Sequence, residues 1–263
     1  LAKEGITVLD IGAGSLQVSA YENGHCYYSQ NFLLGCLRIS ELFAQFELRA
    51  KDYESLIDEY ISSELANSET ANPNAQQHPH LVALGVDLGA IHLLREPKEE
   101  GDKVIPASEL GLTKPFVKRK EFDAIFDRIR HLNPLEITHQ EGIPTEIAET
   151  LLPAMIIVKQ YLDASEAKGV YIPQVHICDA LIYNNVRNID RRPLLLAAEE
   201  DLIQTAKFLA ERFQDDMEHS RFVTEVSQSI YRSLRNRFGF DRRFGVLLRL
   251  LGILHDIGKA ISL

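Results

Sequence analysis

The sequence contains few cysteines, no long apolar run and no excess of basic residues. Its three cysteines, Cys26, Cys36 and Cys178, lie far apart and form no pairing pattern. This predicts reduced thiols in a cytoplasmic protein rather than a disulfide framework. No apolar run reaches the roughly 18 residues that a membrane-spanning helix needs, so we expect no membrane association.

Acidic residues outnumber basic ones. The 263 residues include 38 Asp and Glu against 28 Lys and Arg, which gives a formal net charge of −10 at pH 7. No basic face is evident, and this argues against a general nucleic-acid-binding protein. An anionic substrate would need local cations or a metal ion to offset the negative field.

The chain divides into a mixed part and a helical part. Residues 1–188 contain about five strand-like runs with interleaved amphipathic helices, which predicts an α/β domain. The polar segment 183–193 marks the boundary, and residues 189–263 show helical periodicity alone, which predicts an all-α second domain. The predicted helices of the second part cover 194–213, 217–235 and 244–257. Because the chain starts at Leu1 and stops just after a motif, we expect a fragment of a longer protein.

The α/β part contains a predicted long apolar helix and a pair of histidines in a polar stretch. Residues 145–162 predict a long apolar helix with Thr145 as its N-cap, and Pro153 should kink this helix or begin a new one. His78 and His80 flank a proline in a polar stretch with no third ligand nearby. We therefore expect these two histidines to be solvated.

The first chemical motif lies in residues 6–18, which read as a strand, a Gly-rich turn and a second strand. Asp10 closes the first apolar run, and Gly12 and Gly14 follow. Such a turn lets backbone N–H groups approach a phosphate, with a carboxylate nearby to hold a cation or a water. No Walker lysine follows, and a strand rather than a helix comes next, so neither a P-loop nor a dinucleotide fingerprint is present. A plain β-hairpin explains the motif equally well.

The second motif is the doublet of His255 and Asp256, which ends an apolar helix. His219 occupies a similar position on the preceding predicted helix. Two imidazoles and a carboxylate between helices can bind a divalent metal, which lowers the pKa of a bound water. The alternative is two core histidines with an Asp at the helix C-terminus.

These motifs resemble two known signatures. The HDIGK string of residues 255–259, with His219 upstream, resembles the signature of the HD phosphohydrolase superfamily, and DIGAGS at residues 10–15 resembles the DIGGGS motif of the actin-like ATPases. The Ppx/GppA family of exopolyphosphatases and guanosine pentaphosphate phosphohydrolases joins the two in this order. Residues 29–43, through Gly35, Arg38, Glu41 and Phe43, and residues 146–154 resemble further segments of that family.

The resemblance implies a ribonuclease H-like, actin-like second lobe over residues 1–188, followed by the first helices of an incomplete HD domain over 189–263. It implies polyphosphate or a guanosine polyphosphate such as pppGpp as substrate, Mg²⁺ in the actin-like cleft, Mn²⁺ or another divalent metal at the HD site, and a homodimer. Asp10 would orient Mg²⁺ or water, and His219, His255 and Asp256 would be metal ligands. The implied phosphate-binding residues are Gly12, Ala13, Gly14 and Ser15.

Several positions depart from the family pattern, among them Ala13 and Leu16 in the first motif. Gln17 stands where the family has a carboxylate at the catalytic site, and a neutral amide serves a metal or an attacking water less well. Asp87 replaces part of a Gly-rich phosphate loop, and Ile147 replaces an arginine. Three hypotheses therefore remain: a phosphoanhydride hydrolase with degenerate motifs, a non-catalytic nucleotide or polyphosphate sensor, and a metal-dependent HD phosphohydrolase with a regulatory actin-like lobe.

Overall fold

The structure is a computed structural model with two compact units, Leu1–Asn23 with Gln30–Arg187 and Gly24–Ser29 with Asn188–Leu263. It describes residues 4–44, 50–69, 78–85, 87–95, 115–173, 175, 178–179, 182, 192–213 and 216–261.

The strands of the described residues form one mixed sheet in the order β3-β2-β1-β4-β6-β5. Their bounds are β1 Ile6–Ile11, β2 Leu16–Glu22, β3 His25–Phe32, β4 His80–Leu84, β5 Phe116–Lys118 and β6 Gly169–Tyr171. β1 pairs antiparallel with β2 and parallel with β4, while β6 pairs parallel with β4 and antiparallel with β5. The mixture of strands and helices confirms the predicted α/β class for the first part of the chain.

The helices of the first unit include α1 Cys36–Phe43, α2 Ala50–Glu69, α3 Ala90–Leu93, α4 Arg119–Ile129, α5 Pro134–Glu141 and α6 Thr145–Ala164. A single 3-10 turn, Asp87–Gly89, precedes α3. The second unit contains α7 Arg192–Arg212, α8 Met217–Phe238, α9 Arg242–Leu254 and a 3-10 turn at Ile257–Ile261. No helix within the described ranges is long and apolar enough to cross a membrane.

The hairpin between β2 and β3 follows directly from its turn residues. Asn23 and Gly24 both adopt positive φ angles, 52° and 85°, which is the geometry of a type I′ turn. On the preceding strands, Leu9, Leu16 and Val18 are almost fully buried. This alternation fixes which face of the β1–β2 hairpin packs into the core.

Helix α6 forms the centre of the first unit, because apolar side chains cover almost its whole circumference. The helix begins with Thr145 as its first residue, and Pro144 occupies the N-cap position without a side-chain hydrogen bond. The prediction of Thr145 as N-cap is therefore wrong by one position. Pro153 lies inside the helix and does not begin a new one.

The prediction that His78 and His80 are solvated is also wrong. His78 is half-buried and its Nδ1 atom lies 2.9 Å from the Thr7 hydroxyl. Burial lowers the pKa of the His78 imidazole, and the nearby Glu22 carboxylate acts in the opposite direction. His80 Nε2 pairs with Glu4 at 2.7 Å, and this hydrogen bond lowers the pKa of the Glu4 carboxyl.

The second unit combines its helices with the first residues of β3. The backbone N–H of Cys26 donates to Asp201 of α7 at 3.1 Å, and the rings of Tyr27 and Tyr28 contact Phe208 edge-on. A small core joins α7 to α9 through Ile203, Ala206, Ala210 and Ile253. These contacts make the unit discontinuous in sequence.

The spacing of apolar residues in 217–235 predicts a buried stripe on α8 that includes Val226 and Ile230, and the observed buried positions differ from it. Val226 and Ile230 of that stripe are 42% and 55% exposed. Ser220 and Tyr231 are the buried residues instead, and the Tyr231 hydroxyl donates to the Asp241 carbonyl at 2.8 Å. Helix α8 therefore packs in part through polar residues, which periodicity alone does not identify.

Candidate functional site

Asp10 and Gln17 face each other across the β1–β2 hairpin. They are direct register partners, and both side chains are exposed. Asp10 also pairs with Leu84, the last residue of the parallel strand β4. The carboxyl ends of parallel strands are the common ligand-binding edge of α/β sheets. The hairpin loop and the turn after β4 therefore lie at the edge where a ligand is expected.

The loop that follows Asp10 is held in a fixed shape by backbone hydrogen bonds. Gly12 donates its N–H to the Ser15 carbonyl at 2.9 Å. The carbonyls of Gly12 and Ala13 accept from the N–H groups of Cys36 and Arg38 at 3.0 and 3.2 Å. The loop carbonyls are thus turned toward the start of α1. Gly12 is the least suitable of the four predicted phosphate donors, because its N–H already donates to the Ser15 carbonyl.

Gly35 explains how α1 approaches this loop so closely. A Cβ atom at Gly35 would lie 2.1 Å from the Ala13 carbonyl oxygen and 2.3 Å from the Gly14 carbonyl carbon. Only glycine fits this contact without a shift of the backbone. The sequence match at Gly35 therefore has a steric reason.

Arg38 is the cation that sequence reasoning used only as a motif match. Its backbone is bonded to the loop and its side chain is exposed.

Among the positions that depart from the family pattern, Ile147 is half-buried in the first turn of α6. Val86 and the side chain of Asp87 lie outside the described residues, so the predicted repulsion at Asp87 stays a prediction.

The second candidate site brings His219, His255 and Asp256 together. Asp216 caps α8 by accepting from the N–H groups of Glu218 and His219, each at 3.1 Å, which fixes His219 in the first turn of that helix. His255 and Asp256 follow the end of α9. The pairing of two helix ends thus assembles residues that are 36 positions apart in sequence.

The distances within this cluster are short. The Nε2 atoms of His219 and His255 lie 3.8 and 3.6 Å from Asp256 Oδ2. The two imidazole rings are 5.3 Å apart at their centroids. One ligand atom from each residue lies within 4.8 Å of the others, so the three groups can contact a common ion.

Hydrogen bonds orient two members of the cluster. Nδ1 of His255 lies 3.0 Å from the Gly252 carbonyl, which assigns the proton to Nδ1 and leaves Nε2 as an acceptor. Lys259 donates to Asp256 Oδ2. This hydrogen bond is the main reason that the pKa of the Asp256 carboxyl lies below its usual value, with His255 and His219 lowering it further.

These residues fit a divalent metal. Bonds of about 2.0–2.2 Å would hold the ligand atoms about 3.0–3.4 Å apart, so the two imidazole–carboxylate distances of 3.6 and 3.8 Å would shorten by a few tenths of an ångström. All three ligand atoms lie within 4.8 Å of one another before an ion binds. Imidazole and carboxylate ligands together suit first-row transition metals. On binding, Lys259 would release Asp256 Oδ2 to the ion.

Comparison with known proteins bears on the fold. No family model matches the chain, and no curated protein matches its sequence. Among solved structures, a Ppx/GppA family member from Aquifex aeolicus is 14% identical, with 71% of this chain and 57% of that chain covered and a TM-score of 0.53. An exopolyphosphatase from Cytophaga hutchinsonii is 14% identical over 72% and 59% of the two chains, with a TM-score of 0.54. An exopolyphosphatase-like protein is 10% identical over 70% and 60%, with a TM-score of 0.52.

At this level of identity the likeness is one of fold. It confirms, at that level, the resemblance found in the sequence. The chain spans 57–60% of the length of these three solved structures. The HD-type character of the helical unit stays a prediction.

Proposed function

We propose that this chain carries the second lobe of a Ppx/GppA-type phosphoanhydride hydrolase, which releases phosphate from polyphosphate or guanosine pentaphosphate. The main supporting observation is the hairpin loop beside Asp10, whose carbonyls are bound to α1 and whose Ala13 and Gly14 are exposed. The shared fold supports the same family. In this proposal the cytoplasmic location and the homodimer implied by the resemblance also hold.

The loop supplies binding and orientation. The N–H groups of Ala13, Gly14 and Ser15 would donate to the terminal phosphate, and Arg38 would offset part of its charge. Asp10 would hold the attacking water in line with the bond to be broken. The water oxygen bonds to the terminal phosphorus, the bridging P–O bond breaks, the shortened phosphate chain leaves with the electron pair, and the proton lost by the attacking water passes to the solvent. Mg²⁺ bound near Asp10 would neutralise charge on the phosphate oxygens.

Gln17 limits this reaction. It faces Asp10 at the position where a second carboxylate would accept a proton or bind the metal. A neutral amide hydrogen-bonds to water but does not take its proton at neutral pH. We therefore expect slow turnover, and replacement by Gln17→Glu should increase phosphate release.

A second function is supported by the histidine cluster. His219, His255 and Asp256 are arranged to hold Mn²⁺ or a similar ion. Such an ion would make a hydroxide from bound water at neutral pH and polarise a phosphoryl oxygen. In this alternative the helical unit hydrolyses a phosphate ester and the hairpin only binds an anionic effector.

One comparison separates these functions from a sensor without activity. Metal content and phosphate release are measured with polyphosphate and guanosine pentaphosphate, on the protein at its full natural length and on Asp10→Ala, His255→Ala and His139→Ala. His139 is an exposed histidine of the first unit and serves as control.

Loss of activity in Asp10→Ala with unchanged metal at the histidine cluster supports the hairpin reaction. Loss of metal and activity in His255→Ala alone assigns the reaction to the helical unit. Substrate binding without phosphate release in every version contradicts both and leaves the sensor.

A further inference from the structure

A cavity of about 890 Å³ lies in the second unit among α7, α8 and α9. Its volume is within the usual range of small-molecule sites, roughly 300–1,000 Å³. Thr224 and Gln228 of α8 and Ile253 of α9 are among the residues that line it, and His219, His255 and Asp256 are not. The cavity is therefore separate from the metal cluster described above.

Cations from three helices converge on this cavity. Lys207 comes from α7, Arg221 and Arg232 from α8, and Arg249 from α9. Lys207 and Arg249 are half-buried, a position in which a positive charge is stabilised by a nearby anion. This concentration of positive charge is notable in a chain whose net charge is −10.

Within the described ranges, an ion pair offsets the charge of only one of these four cations. Arg249 Nη1 lies 3.8 Å from Glu200 Oε2, which is a loose contact. Among the described residues, no ion pair involves Lys207, Arg221 or Arg232. Glu218 and Glu225 also line the cavity, and both are exposed. Four cations against two carboxylates give the lining an excess of two positive charges.

The two glutamates restrict the kind of anion that fits. They lie three residues before and four residues after Arg221, so they share its face of α8. A carboxylate repels a bare phosphate but accepts hydrogen bonds from sugar hydroxyls, as in dinucleotide sites. A ligand that carries both phosphates and hydroxyls satisfies the whole lining.

We propose that this cavity binds a small organic diphosphate, whose phosphates contact cations from the set Lys207, Arg221, Arg232 and Arg249 and whose sugar hydroxyls contact Glu218 or Glu225. The apolar side chains of Met217 and Ile253 would contact the rest of the ligand. The proposal concerns binding in the second unit and does not depend on the reaction at Asp10.

Calorimetric titration of the whole chain tests this proposal, with EDTA present so that no divalent metal contributes. ADP is the organic probe and inorganic pyrophosphate is the probe without hydroxyls. We expect saturable binding of ADP, with an affinity at least about tenfold higher than that of pyrophosphate. The double variant Lys207→Gln/Arg232→Gln should weaken ADP binding by at least about tenfold, because each removes a charge-assisted hydrogen bond.

Matched variants test whether ADP binding depends on net charge alone and whether the glutamates contribute to it. Arg237→Gln/Arg243→Gln removes two exposed cations of the same unit that do not line the cavity, and it should bind ADP like the original chain. Glu225→Gln should weaken ADP binding and leave pyrophosphate binding equal or stronger. Circular dichroism melting confirms that each variant folds.

Three results would overturn the proposal. They are the absence of saturable ADP binding, an equal loss in the two double variants, and a loss in Arg38→Gln rather than in Lys207→Gln/Arg232→Gln. The last result would place the ligand at the hairpin of the first unit. Equal affinities for ADP and pyrophosphate would overturn the role given to the glutamates.

Discussion

At Gly35 the absence of a side chain lets the start of α1 pack directly against the loop of residues 12–15. We predict that Gly35→Ala destabilises the chain by about 1–3 kcal/mol, because its Cβ atom would overlap the loop backbone and force a shift. Urea unfolding followed by circular dichroism measures the change. Gly14→Ala is the matched control, since a Cβ atom there meets nothing within 4 Å.

The same pair of variants also tests the role of the contact in binding. If Gly35→Ala and Gly14→Ala change the unfolding midpoint equally, the close approach of α1 to the loop does not stabilise the fold. A stable Gly35→Ala variant with normal phosphate binding would also contradict the proposed anchoring of the loop.

His78 gives the first unit a defined dependence on pH. Burial lowers its pKa in the folded chain, so the unfolded chain takes up the proton first as the pH falls below the ordinary value of about 6.5. The contribution of the neutral imidazole to stability is therefore complete above about pH 6.5 and is lost as the pH falls through the lowered folded-state pKa.

We predict that His78→Asn reduces the loss of stability between pH 7.5 and pH 5, because asparagine retains a polar group near Thr7 and does not titrate. Thermal unfolding at a series of pH values measures this slope. His139→Gln removes an exposed histidine and should leave the slope unchanged. An unaltered slope in His78→Asn would show that His78 is not the titrating group.

At the scale of elements, the sequence predicts best where a local signal determines the structure. Asn23 and Gly24 specify the β2–β3 turn, and the alternation of Leu16 and Val18 with Gln17 predicts one buried face of β2, although Ser19 on the other face is also buried. Helix α5 was missed although its signal is present: Asn133 accepts from the Glu136 N–H, and Glu136 accepts from the Asn133 N–H. The helix has only eight residues and little apolar periodicity, so its capping box was the pattern that would have identified it.

The capping box of α5 can be tested by one substitution. We predict that Asn133→Ala lowers the free energy of unfolding by about 1 kcal/mol, because the backbone N–H of Glu136 at the helix start loses its acceptor, Asn133 Oδ1. Asn133→Asp retains the acceptor and should cost much less. Urea titration measures the free energy of unfolding of both variants. Equal losses would mean that the Asn133 side chain stabilises the helix by packing and not by capping.

At the scale of the whole molecule, the order of the strands in the sheet cannot be predicted from the sequence. Parallel pairing of β1 with β4 joins residues about seventy positions apart, and no local preference encodes such a contact. The two candidate sites differ from the strand order in this respect, because a short motif of specific residue types predicts each of them from the sequence. The sequence therefore predicts Asp10 and the histidine cluster as candidate sites, and the structure brings His219, His255 and Asp256 together. The sequence contains no comparable signal for the cations of the second unit.

The length of the chain relative to its structural neighbours leads to a prediction about activity. It spans 57–60% of those structures, and in the proposed function the wall that faces Asp10 across the cleft lies outside these 263 residues. We predict that the 263-residue chain binds Mn²⁺ but releases little or no phosphate from polyphosphate. His255→Ala should lose the ion and His139→Ala should retain it, as measured by calorimetry, and robust turnover would refute the prediction.

The discontinuous second unit affects how such proteins can be rearranged. Six residues, Gly24–Ser29, complete a unit whose other residues begin at Asn188. A gene segment that starts at Asn188 would therefore encode helices without the tyrosines and the backbone donor that α7 contacts. We therefore expect a helical part that lacks Gly24–Ser29 to be less stable than the complete unit, so that a recombination event near residue 188 succeeds more often when a compatible β3 comes from the same parent.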